Sequence, residues 1–259
     1  MKRIASRDNP QFRRLLQLTR SSKTRRREGL IVLDGVHLLE AYVQRFGMEQ
    51  VQLFARASQC EHGEVAHWLA GGGAASVVVL TDALFDQASP VDTPSGLLAV
   101  VPLPMTHSQP SGAGFTVFVD GVQDPGNLGA ILRSAAAAGG RCAVLSTQCA
   151  DPWSPKCLRG GMGAQFLLDL IGRCDLLEAT AGYTAALVAA DMHGEVDLFS
   201  APMNVRVGFI IGSEGRGLSA ELLERAQVRV RIPMNPGVES LNAACAATLM
   251  FYEWRRRHG

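Results

Sequence analysis

Three separated stretches of the chain carry residue types from which a site for a polar ligand can be built. The first runs Asp120-Gly121-Val122-Gln123-Asp124-Pro125-Gly126-Asn127-Leu128-Gly129 and continues to Arg133. Pro125 and Gly126 make a tight turn, so Asn127 stands near the start of a helix that Arg133 enters by less than two turns. Two readings stand on this stretch alone. Either Asn127 caps the helix and Arg133 lies on the surface, or an amide and a guanidinium face a ligand. The second stretch is Gly212-Ser213-Glu214-Gly215-Arg216-Gly217-Leu218-Ser219. Its glycines let backbone approach a ligand closely, and Glu214 sets a carboxylate inside the turn. A plain turn with Ser219 as helix cap is the alternative. The third runs from Pro233 to Asn242 and then becomes Ala243-Ala244-Cys245-Ala246-Ala247, a helix whose small residues admit a close neighbour. Ser240 either caps that helix or joins the site.

Several common chemistries are excluded. The glycine turn does not end in GK[ST], does not follow GxGxxG, and has Ser213 directly after Gly212, so it is neither a phosphate loop, a dinucleotide loop nor a nucleophile elbow. No two of the six cysteines are spaced CxxC, and no paired histidines accompany them, which argues against a metal site. His62-Gly63-Glu64 is reminiscent of a zinc deaminase, but the PCxxC partner is missing.

Each stretch follows a run of the kind that forms a buried strand: Phe115–Val119, Val207–Ile211 and Val228–Ile232. Ala143–Leu145 and Ala186–Ala189 are similar. Continuous apolar or β-branched runs belong to strands covered on both faces, which implies a mostly parallel sheet with helices outside. Helices are expected at Leu128–Ala138, Ser219–Ala226 and Leu241–Arg255. Ligands of such sheets bind beyond the C-terminal strand ends, where all three stretches lie.

The Pro-, Ser- and Gly-rich run over 102–114 lacks apolar periodicity and reads as a linker. It divides a domain over 1–101 from one over 115–259. In the first, strand candidates at Leu30–Leu33, Val51–Ala55, Val77–Leu80 and Gly96–Val101 alternate with helical stretches at Val36–Phe46 and Glu61–Ala70, a small α/β domain. Ahead of them, Phe12, Leu15, Leu16 and Leu18 share one helix face.

The 259 residues, 47% hydrophobic and 19% charged, suffice for two packed cores. Net charge is only +1, so a nucleic-acid surface must come from segregated charge. Such segregation exists. Basic residues crowd the first thirty positions, with Lys23, Arg25, Arg26 and Arg27 the densest run, and Arg255-Arg256-Arg257 closes the sequence. Both runs suit phosphate contact; the plainer reading is a solvated terminus. No apolar run is long enough to span a membrane, and the N-terminus lacks the pattern of a signal peptide. A cytoplasmic protein with reduced thiols is the expectation.

Taken in order, the three stretches resemble the signatures of the SpoU (TrmH-like) branch of the SPOUT methyltransferases. Asn127, Gly129 and Arg133 are similar to its N-x-G-x-x-x-R, Gly212, Glu214 and Gly217 to its G-x-E-x-x-G, and Ile232, Pro233, Met234, Ser240, Leu241 and Asn242 to its I-P-M…S-L-N. Asp151 through Arg159 to Gly163 resembles the family's intervening segment, with Gly160-Gly161 where relatives often have Ala-Ser. Ser6-Arg7-Asp8-Asn9-Pro10 and the stretch from Arg25 to Gly35 resemble the RNA-recognition domain of rRNA- and tRNA-modifying members, itself similar to a small ribosomal protein. Asp34-Gly35 stands where relatives commonly have Glu-Gly.

The resemblance implies a C-terminal α/β domain with a trefoil knot, a feature the usual chain-connection rules disfavour. It implies S-adenosylmethionine as cofactor, contacted at Gly212, Ile232, Met234 and Leu241, and a homodimer with active sites at the subunit interface. The implied reaction is methyl transfer to a ribose 2'-hydroxyl of RNA, ribosomal ahead of transfer RNA. Arg133, Asn127, Glu214, Ser240 and Asn242 would form the catalytic set. Lys23, Arg25, Arg26, Arg27 and Arg159 would contact RNA. An arginine has a pKa above about 12 and resists deprotonation, so Arg133 is expected to activate the hydroxyl electrostatically, with a phosphate oxygen taking the proton. The competing reading is a non-catalytic RNA-binding protein that keeps the fold; the intact Asn127, Arg133, Glu214 and Asn242 argue against it.

Overall fold

The computed structural model describes residues 1–61, 63–71, 76–91, 93–104 and 114–259. His62 and most of the expected linker, 105–113, lie outside the described residues. Elements are numbered along the chain. The first part contains β1 (Lys2–Ile4), α1 (Pro10–Arg20), α2 (Ser22–Glu28), β2 (Leu30–Asp34), α3 (Val36–Phe46), β3 (Gln52–Arg56), α4 (Gly63–Ala70), β4 (Ser76–Leu80), α5 (Asp82–Ala88) and β5 (Leu97–Pro102). Then come β6 (Thr116–Val119), α6 (Pro125–Ala138), β7 (Cys142–Ser146) and α7 (Pro155–Gly161). The remainder is β8 (Asp169–Cys174), α8 (Leu176–Ala181), β9 (Ala186–Ala190), β10 (Val196–Asp197), β11 (Val207–Ile211), α9 (Ala220–Arg225), β12 (Val228–Arg231) and α10 (Ala243–His258).

These elements divide into two compact units. One holds Met1–Met105 with Trp153–Phe166, the other Thr106–Pro152 with Leu167–Gly259. The boundary expected from sequence differs at one place: the segment carrying α7 packs with the N-terminal unit, because Leu158 and Phe166 enter its core beside Leu38, Leu39 and Tyr42.

The N-terminal unit is a five-stranded mixed sheet ordered β1-β4-β3-β5-β2. One face is covered by α1, whose Phe12, Leu15 and Leu18 are buried against Val32, Phe54 and Phe85. Asn9 starts that helix by accepting from the Gln11 N–H, and Pro10 supplies a pre-set φ at its first turn. The basic run that follows is not uniformly a surface feature. Arg25 is 4% exposed, and its guanidinium donates to the carbonyls of Leu18 and Thr19 at 2.7 and 3.1 Å. It satisfies the open carbonyls at the end of α1, so its assignment to RNA is corrected to a structural cap.

The C-terminal unit is a seven-stranded sheet ordered β10-β12-β9-β11-β6-β7-β8, parallel throughout. β6, β7 and β11 are buried along their whole length, as continuous apolar runs require. Phe115, Phe209, Phe251 and Trp254 pack edge-on, stacked or tilted at 4.9–5.5 Å and hold α10 to the sheet. α10 also lies along α6, with Ser134 and Thr248 hydroxyls 2.7 Å apart. On the opposite face Leu176 and Leu222 cover Phe118, Leu187 and Ile210. The closing basic run is partly consumed: Arg256 and Arg257 pair with the buried Glu253, whose carboxyl they hold down at about 2, and Arg257 also donates to the carbonyls of Phe199 and Ala201.

The contrast within the first basic run can be measured. Arg25→Ala removes two charge-assisted hydrogen bonds from a buried position and is expected to lower unfolding free energy by roughly 2–3 kcal/mol. Arg26→Ala, at an exposed position, should change it by less than about 0.5 kcal/mol. Urea unfolding of both variants makes the comparison; equal effects would contradict the capping role.

Candidate active site

The order of strands in the parallel sheet reverses between β6 and β11. From β6 the chain proceeds outward through β7 and β8, whereas β9 and β12 lie on the far side of β11. At such a reversal the loops leaving adjacent strands diverge and open a crevice. The first two candidate stretches leave these two strands.

Asp124, not Asn127, caps α6, its Oδ1 accepting from the Asn127 N–H at 2.8 Å. Asn127 is therefore the third residue of the helix, with its side chain free for another use. Its Nδ2 donates to Glu214 Oε1 at 2.5 Å. Asn242 Nδ2 donates to the same carboxylate oxygen at 2.5 Å and to Asn127 Oδ1 at 3.1 Å. Asn242 Oδ1 meanwhile caps α10, accepting from the N–H groups of Ala244 and Cys245 at 2.9 and 3.3 Å. Ser240 is exposed and does not cap the helix. The three stretches thus meet through three side chains separated by up to 115 positions.

The glycine turn has a steric reason for its composition. A Cβ on Gly212 would lie 2.4 Å from the Gly217 carbonyl carbon and 2.7 Å from the Leu218 nitrogen. Gly217 donates its N–H to the Ser213 carbonyl at 2.9 Å and sits at φ +63°. Ser219 then caps α9, accepting from Leu222, as expected. A cavity of about 530 Å³ opens beside this turn, lined by Asp120, Gln123, Asn127, Gln148, Glu214 and Arg216 among others. Arg133 is exposed on α6 and does not line it. Neither do Ile232, Met234 or Leu241, which follow β12. Within Pro233–Leu241 the described backbone makes one hydrogen bond, Val238 N–H to Asn235 at 3.3 Å, which leaves its other backbone groups open to a ligand.

In the N-terminal unit Lys23, Arg26 and Arg27 are exposed, Arg27 touching Glu28 at 3.2 Å. Arg159 pairs with Asp34 at 3.6 Å and remains half exposed. Asp34 is buried; burial pushes its carboxyl up, opposed by the Ser95 hydroxyl, which donates to it at 2.9 Å, and by Arg159. Neither Ser95 nor the cavity residues Asp120 and Gln148 stood out in the sequence. Isolated polar residues at loop starts carry no periodic signal. No cluster able to hold a metal occurs among the described residues, and no described helix is long and apolar enough to cross a membrane.

The profile of the SpoU rRNA methylase family matches residues 114–252, more than half of the sequence. The chain belongs to the SpoU rRNA methylase family. An MRM3-like substrate binding domain matches residues 9–99. An uncharacterized tRNA/rRNA methyltransferase of Synechocystis sp. is 37% identical, the alignment covering 98% of this chain and 93% of that one. The Bacillus subtilis 23S rRNA guanosine 2'-O-methyltransferase RlmP is 29% identical over 98% of this chain and all of its own. Among solved structures, the SpoU methyltransferase AviRb of Streptomyces viridochromogenes with bound S-adenosylmethionine superposes with a TM-score of 0.85, at 28% identity, over 96% of this chain and 98% of that one. This SpoU protein is accordingly an RNA methyltransferase with the SPOUT α/β fold, and its cofactor is S-adenosylmethionine. Family membership implies the trefoil knot. The tight turn at Gly212 and the open backbone after β12 fit such a cofactor.

Gly212→Ala tests the turn. Because the added methyl meets backbone on the facing strand of the turn, the loop must open, and the Kd for S-adenosylmethionine by calorimetry should rise at least roughly tenfold. Gly215→Ala has no atom within 4 Å of its new Cβ and should bind within about twofold of the parent. Indistinguishable Kd values would remove the steric argument.

Proposed function

We propose that this SpoU methyltransferase modifies a ribose 2'-hydroxyl of ribosomal RNA, with each active site completed across a homodimer. The observation that carries the reading is the convergence of Asn127 and Asn242 on one carboxylate oxygen of Glu214. An amide–carboxylate cluster of this kind offers a rigid polar edge to a sugar, and rigidity at the reacting oxygen is the main thing a methyl transfer needs from its protein. The relation to a 2'-O-methyltransferase over its whole length supports the ribose target, and that relative's 23S rRNA substrate supports ribosomal RNA.

In this reading the backbone of Gly212, Ile232 and Leu241, with the Met234 side chain, holds S-adenosylmethionine. The cofactor supplies an electrophilic methyl group. Glu214 holds Asn127 and Asn242 in fixed orientations, and Asn127 and Ser240 border the ribose. Arg133 stabilises negative charge developing on the 2'-oxygen and holds the adjacent phosphate. Its exposure on α6, outside the lining of the cavity of its own subunit, favours action in the partner's site. α10, which lies along α6, exposes Leu249 and Tyr252, at 39% and 49%, apolar area suited to an isologous contact. Lys23, Arg26, Arg27 and Arg159 contact RNA phosphates, giving affinity that falls with salt.

Mixing variants decides whether Arg133 acts across the interface. Arg133→Ala and Glu214→Ala should each cut methyl transfer by roughly 100-fold or more, and Arg133→Ala should still bind S-adenosylmethionine. Refolded together in equal amounts, they should recover about a quarter of wild-type activity, since half the dimers carry one intact site. No recovery would place Arg133 in its own subunit's site, and undiminished activity of Arg133→Ala would remove it from the mechanism.

A further inference from the structure

The N-terminal unit holds a cavity of its own, of about 520 Å³, that methyl transfer does not use. It opens where β2 runs into α3, and Asp34, Val36, His37, Ser95, Arg159 and Met162 are among the residues that line it. Arg159 and Met162 come from the segment carrying α7, which belongs to the same compact unit. Gly35 sits at φ +96°, and a Cβ there would lie 3.4 Å from that of Ser95, so the turn into α3 favours glycine. This close approach brings the Ser95 hydroxyl to Asp34 Oδ1, to which it donates at 2.9 Å.

The Asp34 side chain is 2% exposed and poorly paired for so buried a charge. Among the described residues its Oδ2 has only Arg159 Nη1 for company, at 3.6 Å, which is beyond hydrogen-bond length. A carboxylate offers about four acceptor positions, and removing it from water without donors is costly. That cost is the main cause of its raised pKa. Donors stand close to it. α3 opens on a glycine with no side-chain cap, and the N–H groups of Val36, His37 and Leu38 have no partner among the described residues. Arg159 is half exposed and makes no hydrogen bond among the described residues, so its guanidinium has donors to spare. The cavity thus sets a buried pair of acceptor oxygens beside uncommitted donors, in a space that accommodates a nucleoside.

We propose that this cavity receives an unpaired guanine of the RNA substrate, and that Asp34 is the residue that reads it. On its Watson–Crick edge guanine carries two neighbouring donors, N1–H and the N2 amine, which match the two oxygens of one carboxylate. Beside them lies an acceptor, O6, which suits the N–H groups at the start of α3 or the Arg159 guanidinium. Adenine and cytosine set a single donor group beside a ring acceptor, and uracil sets one donor between two acceptors, so none of them offers Asp34 the same pair. Met162, 47% exposed, gives the base an apolar surface to lie against. Unpaired bases are the ones whose edges proteins read in RNA. The inference goes beyond the 2'-O reading and needs only that the substrate is RNA.

The first arm of the test varies the ligand. Full-length enzyme saturated with S-adenosylhomocysteine is titrated calorimetrically with the 5'-monophosphates of guanosine, 1-methylguanosine, which lacks the N1–H, and adenosine. The Kd for guanosine monophosphate should lie at least roughly tenfold below the other two. Equal values, or no binding, would overturn the proposal, and this arm needs no variant to fold. The second arm uses Asp34→Asn, which keeps the shape and turns one acceptor into a donor. It should erase the guanosine preference and raise KM for total RNA from cells lacking the gene roughly tenfold, while kcat and the Kd for S-adenosylmethionine stay within about threefold. A preference that survives Asp34→Asn would place the nucleotide elsewhere. An unchanged KM would make the cavity a site for a free nucleotide and remove RNA from it. Methyl label found on bases and not on ribose would sink the 2'-O reading and leave this one standing; ribose label without a guanosine preference would do the reverse.

Discussion

One carboxylate oxygen ties the catalytic unit together. Glu214 Oε1 receives the amides of Asn127 and Asn242, and these three residues come from loops after three different strands. Nothing local in any loop fixes its conformation so firmly. The glycine turn closes on itself through one backbone hydrogen bond, Gly217 to Ser213, and the segment before Asn242 has little internal hydrogen bonding. The parallel sheet makes the meeting possible by delivering every loop to the same edge, and the reversal of strand order between β6 and β11 leaves a crevice where they meet. Asn242 shows how closely fold and site are joined: its oxygen starts α10 while its nitrogen serves the cluster.

Charge is divided between structure and function in a way that counting cannot reveal. Arg25, Arg256 and Arg257 close helix ends or neutralise a buried carboxylate, whereas Lys23 and Arg26, on the same helix as Arg25, stay exposed. In the cavity, Asp124 and Glu214 are likewise engaged in holding protein groups in place.

Much of this was legible in the sequence, for identifiable reasons. The buried strands announced themselves because both faces are covered, so their residues are apolar without alternation. β1, three residues with two charges, and β8, with Arg173 and Gly172 near its end, lie at sheet edges and carry no such pattern. The three signatures were readable, and Ser219 was expected as the cap it is, but the residues that start α6 and α10 stayed open. Ser240 and Asn127 were plausible caps by type, and the choice of Asn242 and Asp124 depends on where each helix actually begins. The membership of Trp153–Phe166 in the N-terminal unit rests on Leu158 and Phe166 filling a distant core, which no local pattern encodes. The burial of Arg25 depends on α1 ending just before it, so that open carbonyls await a donor.

The claim that the three loops act as one unit is tested most directly by a double-mutant cycle on methyl transfer, with Asn127→Ala, Asn242→Ala and the pair. Residues that work through one shared acceptor lose their contribution together, so the double variant should be no slower than the slower single variant by more than about threefold. Losses that multiply, each substitution costing its full factor in the presence of the other, would show that the two amides act independently and that Glu214 does not bind the loops into a single device.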